Sequence, residues 1–105
     1  MANYLLLYHG GGMPTTDEER EKVLADWGVW MKQCGDNLVD AGNPCKPPAK
    51  KVTKDDVSDE SGDPVTGYSV VKADSMDDAV KAAQMVPLVV DGSGWCEVYE
   101  TFPAM

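Results

Sequence analysis

A chain of 105 residues suits one domain, 1–105, whose core is adequate but whose surface is large. Nine basic residues against 18 acidic ones give a formal net charge of −9, which argues against nucleic acid and anionic membrane surfaces as partners. Cys34, Cys45 and Cys96 are odd in number and widely spaced, with no Cys-x-x-Cys pair or neighbouring histidine to suggest zinc, so a reducing cytoplasm is the expected location.

The first element is "NYLLLYH", Asn3 to His9, rich in strand formers at both parities of the alternation and too short for a signal peptide or membrane span. Three glycines follow. Thr15 and Thr16 each have an acid three residues later, two overlapping capping boxes that start a helix. Val23, Trp27, Trp30, Met31 and Cys34 form its apolar stripe, and Gly35 closes it. A short strand is expected at Asn37 to Ala41, stopped by Gly-Asn-Pro. The connection from Cys45 to Thr66 is polar, charged and poor in large apolar residues, a long link with room for a small irregular hairpin; it is expected to be the most mobile part. "GYSVVKA" restores strand character. Ser75 caps a second helix with Met76, Ala79, Val80, Ala83 and Val86 on one stripe, Pro87 ends it, and "WCEVYETF" supplies the last strand.

Strand, helix, strand occurs twice, which predicts an α+β fold of ferredoxin-like β-α-β-β-α-β type. Its four-stranded antiparallel sheet has the order 4-1-3-2, with both helices on one face. The strand parities suggest Leu5, Leu7, Val71, Ala73, Cys96 and Val98 on the helix side. Tyr4, Leu6, Tyr8, Tyr68, Val70, Trp95 and Tyr99 then fall on the other. An aromatic second face of that size predicts a homodimer packed sheet against sheet, unless the polar connection folds over it.

The segments "YLLLYHGG", "WGVWMKQCGDNLVDAGNP" and "GYSVVKADSMDDAVKAAQMVP", with "CEVYE" near the end, resemble the YCII-related (DGPF-domain) proteins. The resemblance covers nearly the whole chain outside Cys45 to Thr66. It implies a dimeric α+β barrel and, from a few relatives, an enzyme using a His and Asp pair. In those relatives the acid ends strand one and the histidine lies on the first helix; here His9 ends strand one and Asp26 takes the helix position.

The candidate site gathers at the C-terminal end of strand one. His9 is the expected general acid or base, because imidazole titrates near neutrality. Asp26, about 15 Å down its helix, is a poor partner. Asp40 ends the parallel second strand, and the topology suggests it lies at the same edge, roughly 10 Å across. Gly10 and Gly11, the first helix N-terminus, Asn43 and Tyr68 would line the ligand space. The glycines lack dinucleotide-binding spacing, one histidine among scattered acids argues against a metal, and no cofactor is expected. Cys45, beside Lys46, is the one thiol expected at the surface. Two functions remain open: a small-molecule-binding protein or cofactor-independent enzyme acting on a small polar or aromatic compound, and a non-catalytic dimerisation or accessory module.

Overall fold

The computed structural model describes residues 1–12, 14–60 and 62–103. Strands β1 (Ala2–Gly10), β2 (Leu38–Asp40), β5 (Val65–Ala73) and β6 (Gly94–Glu100) form a four-stranded antiparallel sheet in the order β2-β5-β1-β6. This is the expected 4-1-3-2 arrangement. Helices α1 (Asp17–Cys34) and α2 (Met76–Gln84) cover one face with a one-turn helix α3 (Pro87–Val90), and the polar connection contains a separate hairpin, β3 (Lys50–Val52) with β4 (Val57–Asp59).

Each main helix starts on its expected cap. The Thr16 hydroxyl accepts from the Glu19 N–H at 3.1 Å, and the Ser75 hydroxyl accepts from the Asp78 N–H at 3.2 Å. Thr15 is used as well: its N–H and hydroxyl both donate to the Glu19 carboxylate. These bonds hold the Glu19 carboxyl below its ordinary pKa, chiefly through the Thr15 N–H.

The core lies between helices and sheet, and it corrects the parity read from the sequence. Tyr4, Leu6 and Tyr8 face the helices and are buried, whereas Leu5 and Leu7 point to the open face. Side-chain size explains the choice. On the helix side Tyr4 pairs with Val71, Leu6 with Ser69 and Tyr8 with Gly67, so each large residue of β1 lies beside a smaller one of β5. The Tyr8 hydroxyl donates to Ser69 Oγ at 2.8 Å, and Ser69 donates in turn to the Ala41 carbonyl at 2.8 Å, so the buried phenol is satisfied. Val71, Ala73, Cys96 and Val98 do lie on the helix side, as expected.

Both α1 tryptophans join this core. Trp27 meets Tyr8 with ring centroids 5.1 Å apart, and Trp30 donates its indole N–H to the Ala82 carbonyl at 2.9 Å, tying α1 to α2. The N-terminal half of the α1 stripe is looser, and Val23 remains 38% exposed. Ala79, Ala83 and Val86 are buried as the α2 stripe requires, while Met76 and Val80 stay at the surface. Among the described residues, no helix is long and apolar enough to cross a membrane.

Candidate functional site on the open sheet face

The open face of the sheet carries Leu5, Leu7 and His9 from β1, with Tyr68 and Val70 from β5 and Trp95, Glu97 and Tyr99 from β6. β1 delivers His9 by alternation from Leu5 and Leu7. A bulge sets its surroundings: Tyr8 pairs with Gly67, but His9 pairs with Val65, leaving Thr66 over. The Thr66 hydroxyl lies 3.2 Å from the Tyr8 carbonyl and 2.9 Å from that of Gly10. The extra residue brings the chain at Asp63 across the histidine, so His9 is only 5% exposed although it belongs to the open face.

Every edge of the His9 ring is engaged. Nδ1 lies 2.9 Å from the Asp63 carbonyl, a group that only accepts, so Nδ1 carries the proton and donates. Nε2 faces Glu97 Oε1. The Trp95 indole stacks on the imidazole at 4.1 Å between centroids and 8° between planes, and its N–H donates to Asp63 Oδ2 at 2.9 Å. Tyr99 donates its hydroxyl to the other oxygen of Glu97. Hydrogen bonds from Tyr99 and then His9 favour the ionised carboxylate and lower the Glu97 pKa, and the same carboxylate raises that of Tyr99. The result is a relay from Tyr99 through Glu97 to His9, with Asp63 and Trp95 fixing the ring. Through it the exposed Tyr99 hydroxyl is linked by way of Glu97 to the buried His9 ring.

The residues expected from the sequence fall elsewhere in part. Asp40 is not the partner of His9. It pairs with Val70, which pairs with Leu5, so it stands level with a residue four positions short of His9. That is about 13 Å along the strands and about 10 Å across them. Its carboxylate accepts from the Gly42 N–H at 2.8 Å and closes a turn. Asp26 is paired with Lys22 at 2.8 Å. Tyr68 pairs with Leu7 and so sits one diagonal from His9, about 7 Å away. Asn43 reaches the Tyr68 hydroxyl at 3.4 Å. Gly10 and Gly11 turn the chain directly after His9, with positive φ at both, and Gly11 donates to the Ser93 carbonyl at 3.0 Å. Ahead of the α1 cap, the Glu19 carboxylate takes both Thr15 donors.

Glu97, Asp63, Trp95 and Tyr99 were not anticipated. The readable signal was Trp95, Glu97 and Tyr99 at alternate positions, one carboxylate between two aromatics on the parity that a strand aligns with His9. Cys45 is exposed as expected, and Cys34 and Cys96 are partly buried; burial pushes the Cys96 thiol up to about 11. Among the described residues, no three His, Cys, Asp or Glu side chains are grouped to hold a metal ion. An open, mainly apolar cleft of about 470 Å³ runs between α2 and the edge strand β6, lined by Met76, Val80, Val89, Cys96 and Val98, and it shares Trp95 with the histidine cluster.

No protein-family model matches the chain, and no curated protein sequence matches it. Solved structures do. The 5-chloro-2-hydroxyhydroquinone dehydrochlorinase TftG from Burkholderia phenoliruptrix AC1100, in complex with 2,5-dihydroxybenzoquinone, is similar over 95% of this chain and 95% of its own, with a TM-score of 0.58 at 14% identity. At that identity the likeness is one of fold: the chain shares the neighbour's α+β architecture, here a ferredoxin-like four-stranded antiparallel sheet with helices on one face.

Proposed function

We propose that the protein is a YCII-related, small-molecule-binding protein that works without a cofactor through a His9–Glu97 acid–base pair on the open sheet face. The observation that carries this reading is the treatment of His9. It is held between a carbonyl and a carboxylate and stacked under an indole, on a face that carries Leu5, Leu7, Tyr68, Val70 and Tyr99 with the polar pair Asn3 and Lys72 at its far end. Fixing the tautomer and orientation of one histidine this fully is what proton transfer requires. A small planar hydroxylated ring suits the surroundings, since Trp95 offers a face to stack on and Tyr99 and Tyr68 offer hydroxyls. The bound dihydroxybenzoquinone of the structural neighbour belongs to the same chemical class. The reading includes a homodimer through the open face, with Leu5, Leu7, Tyr68, Val70 and Tyr99 in contact, because an apolar face of this extent favours a partner.

The second reading is a non-catalytic module, favoured by one fact: both ring nitrogens of His9 already have partners in the same chain. In that case the histidine pins the chain at Asp63 to the sheet. Titrating the protein with 2,5-dihydroxybenzoquinone and simpler hydroxylated benzenes, followed by NMR of the Trp95 indole and His9 ring, separates the two. Saturable shifts at both residues that vanish in Glu97→Gln support the acid–base site. Absence of binding across the series, with Glu97→Gln affecting only stability, supports the module.

A further inference from the structure

Strands β3 and β4 form a two-stranded ribbon whose six residues are all exposed. Such a ribbon is marginal by itself in water. It continues the β2–β5 pairing past the sheet: Pro44 bridges Gly67, Cys45 donates to Thr66 at 2.9 Å, and Glu60 donates to Ala49 at 2.9 Å. The ribbon turns at Thr53 to Asp56, where the Thr53 N–H donates to the Asp56 carbonyl at 2.8 Å. The molecule shows this extension. Its radius of gyration is 14.9 Å, whereas a compact chain of this length has about 13 Å.

The ribbon is chemically unlike the rest of the chain. Residues 46–60 hold four of the nine cations and four of the 18 acids, so they are neutral while the remainder carries the whole net charge of −9. Lys50 pairs with Asp59 within the ribbon, and among the described residues Lys51 and Lys54 make no ion pair. Val52 and Val57 face each other across the strands and are 71% and 62% exposed. A ribbon with no net charge, two lysines outside any ion pair and an uncovered valine pair can lie on an acidic body without adding to its repulsion.

We infer that the β3–β4 ribbon is an arm that grips the acidic body of a second copy of this chain, each protomer offering its arm to the other in a two-fold dimer. The second copy is the occupant because its surface supplies the complementary charge. The arm also leaves the sheet at the rim of the open face, continuous with the contact proposed above. The inference rests on that dimer reading and adds a second, separable contact.

Sedimentation equilibrium of the full chain tests it, using three variants: Val52→Asp with Val57→Asp, Lys51→Glu with Lys54→Glu, and Leu7→Asp on the open face. The arm is supported if wild type is a dimer, both arm variants weaken it at least about tenfold, and raising salt weakens wild type but not the lysine variant. Zero-length crosslinking of mixed isotope-labelled chains should then join Lys51 or Lys54 of one copy to a carboxylate of the other. Arm variants that dimerise as tightly as wild type overturn the arm and leave the sheet contact standing. A dimer that survives Leu7→Asp but not the arm changes overturns the sheet contact and leaves the arm. A monomeric wild type at micromolar concentration overturns the arm.

Discussion

His9 Nε2 faces Glu97 Oε1 across neighbouring strands, although the two residues are not register partners: Leu7 pairs with Glu97, and His9 pairs with Trp95. The contact is therefore diagonal, and it is free to form because Leu7 occupies the position directly opposite the acid. A carboxylate brought to a histidine this way is also within reach of Tyr99, two residues further along β6.

The lowered Glu97 pKa gives the fold a signature in acid. A carboxyl whose folded pKa lies below its unfolded value adds stability that is present above the unfolded pKa, near 4.5, and is lost as pH falls through the folded value. Urea midpoints measured from neutral pH down through this range should fall for wild type. They should fall less for Glu97→Gln, which has no such carboxylate to protonate. Equal slopes for the two proteins would show that the carboxylate is not held by Tyr99 and His9.

Leu6 and Leu7 give opposite outcomes. Leu6 is fully buried on the helix side, so Leu6→Asp places a charge in the core and should prevent folding, visible as loss of near-ultraviolet circular dichroism. Leu7 lies on the open face, and Leu7→Asp should keep the monomer folded with its helical signal intact.

Gly42 should be irreplaceable. Its φ is +74°, and a Cβ there would lie 1.6 Å from the Tyr68 carbonyl oxygen, a backbone atom that cannot rotate away. The left-handed conformation alone costs an L-residue about 1 to 2 kcal/mol, before the clash is counted. Gly42→Ala is expected to lower the denaturation midpoint well beyond that of Gly28→Ala, where the added Cβ meets nothing within 4 Å.

Thr16→Ala should cost about 1 kcal/mol through loss of the α1 cap, measured by denaturant titration. Thr15→Ala should cost less, since its N–H still donates to Glu19 when the hydroxyl is gone.

The elements were legible because their signals are local. Thr16 and Ser75 announce helices through their own side chains, and the strand order follows from two strand-helix-strand units. Hydropathy pointed to the wrong face of β1, because the two tyrosines carry polar hydroxyls and rank below Leu5 and Leu7, yet Tyr4, Leu6 and Tyr8 are the buried set. The answer lay in the small residues Gly67, Ser69 and Ala73 of a strand sixty residues away. The site suffered from the same nonlocality. His9 was identifiable as a lone titratable group at a strand end, but its partner depends on register: β2 is too short and offset to carry Asp40 up to it, while β6 aligns Glu97 with Leu7. Asp63 was hidden further, because only the bulge at Thr66 turns its carbonyl onto the ring.

That bulge also makes the chain unequally tolerant of changes in length. Within one protomer, the ribbon between Lys46 and Glu60 can gain or lose a pair of residues and still return to the same place, so the His9 cluster does not sense its length. Between Asp63 and Gly67 the spacing acts as a vernier. Removing Thr66 would restore regular pairing with Val65 still opposite His9, but it would take away the kink and the hydroxyl contacts that accompany the passage of the chain at Asp63 across the ring. Insertions at the ribbon tip therefore spare the His9 cluster, whereas insertions between Asp63 and Gly67 do not.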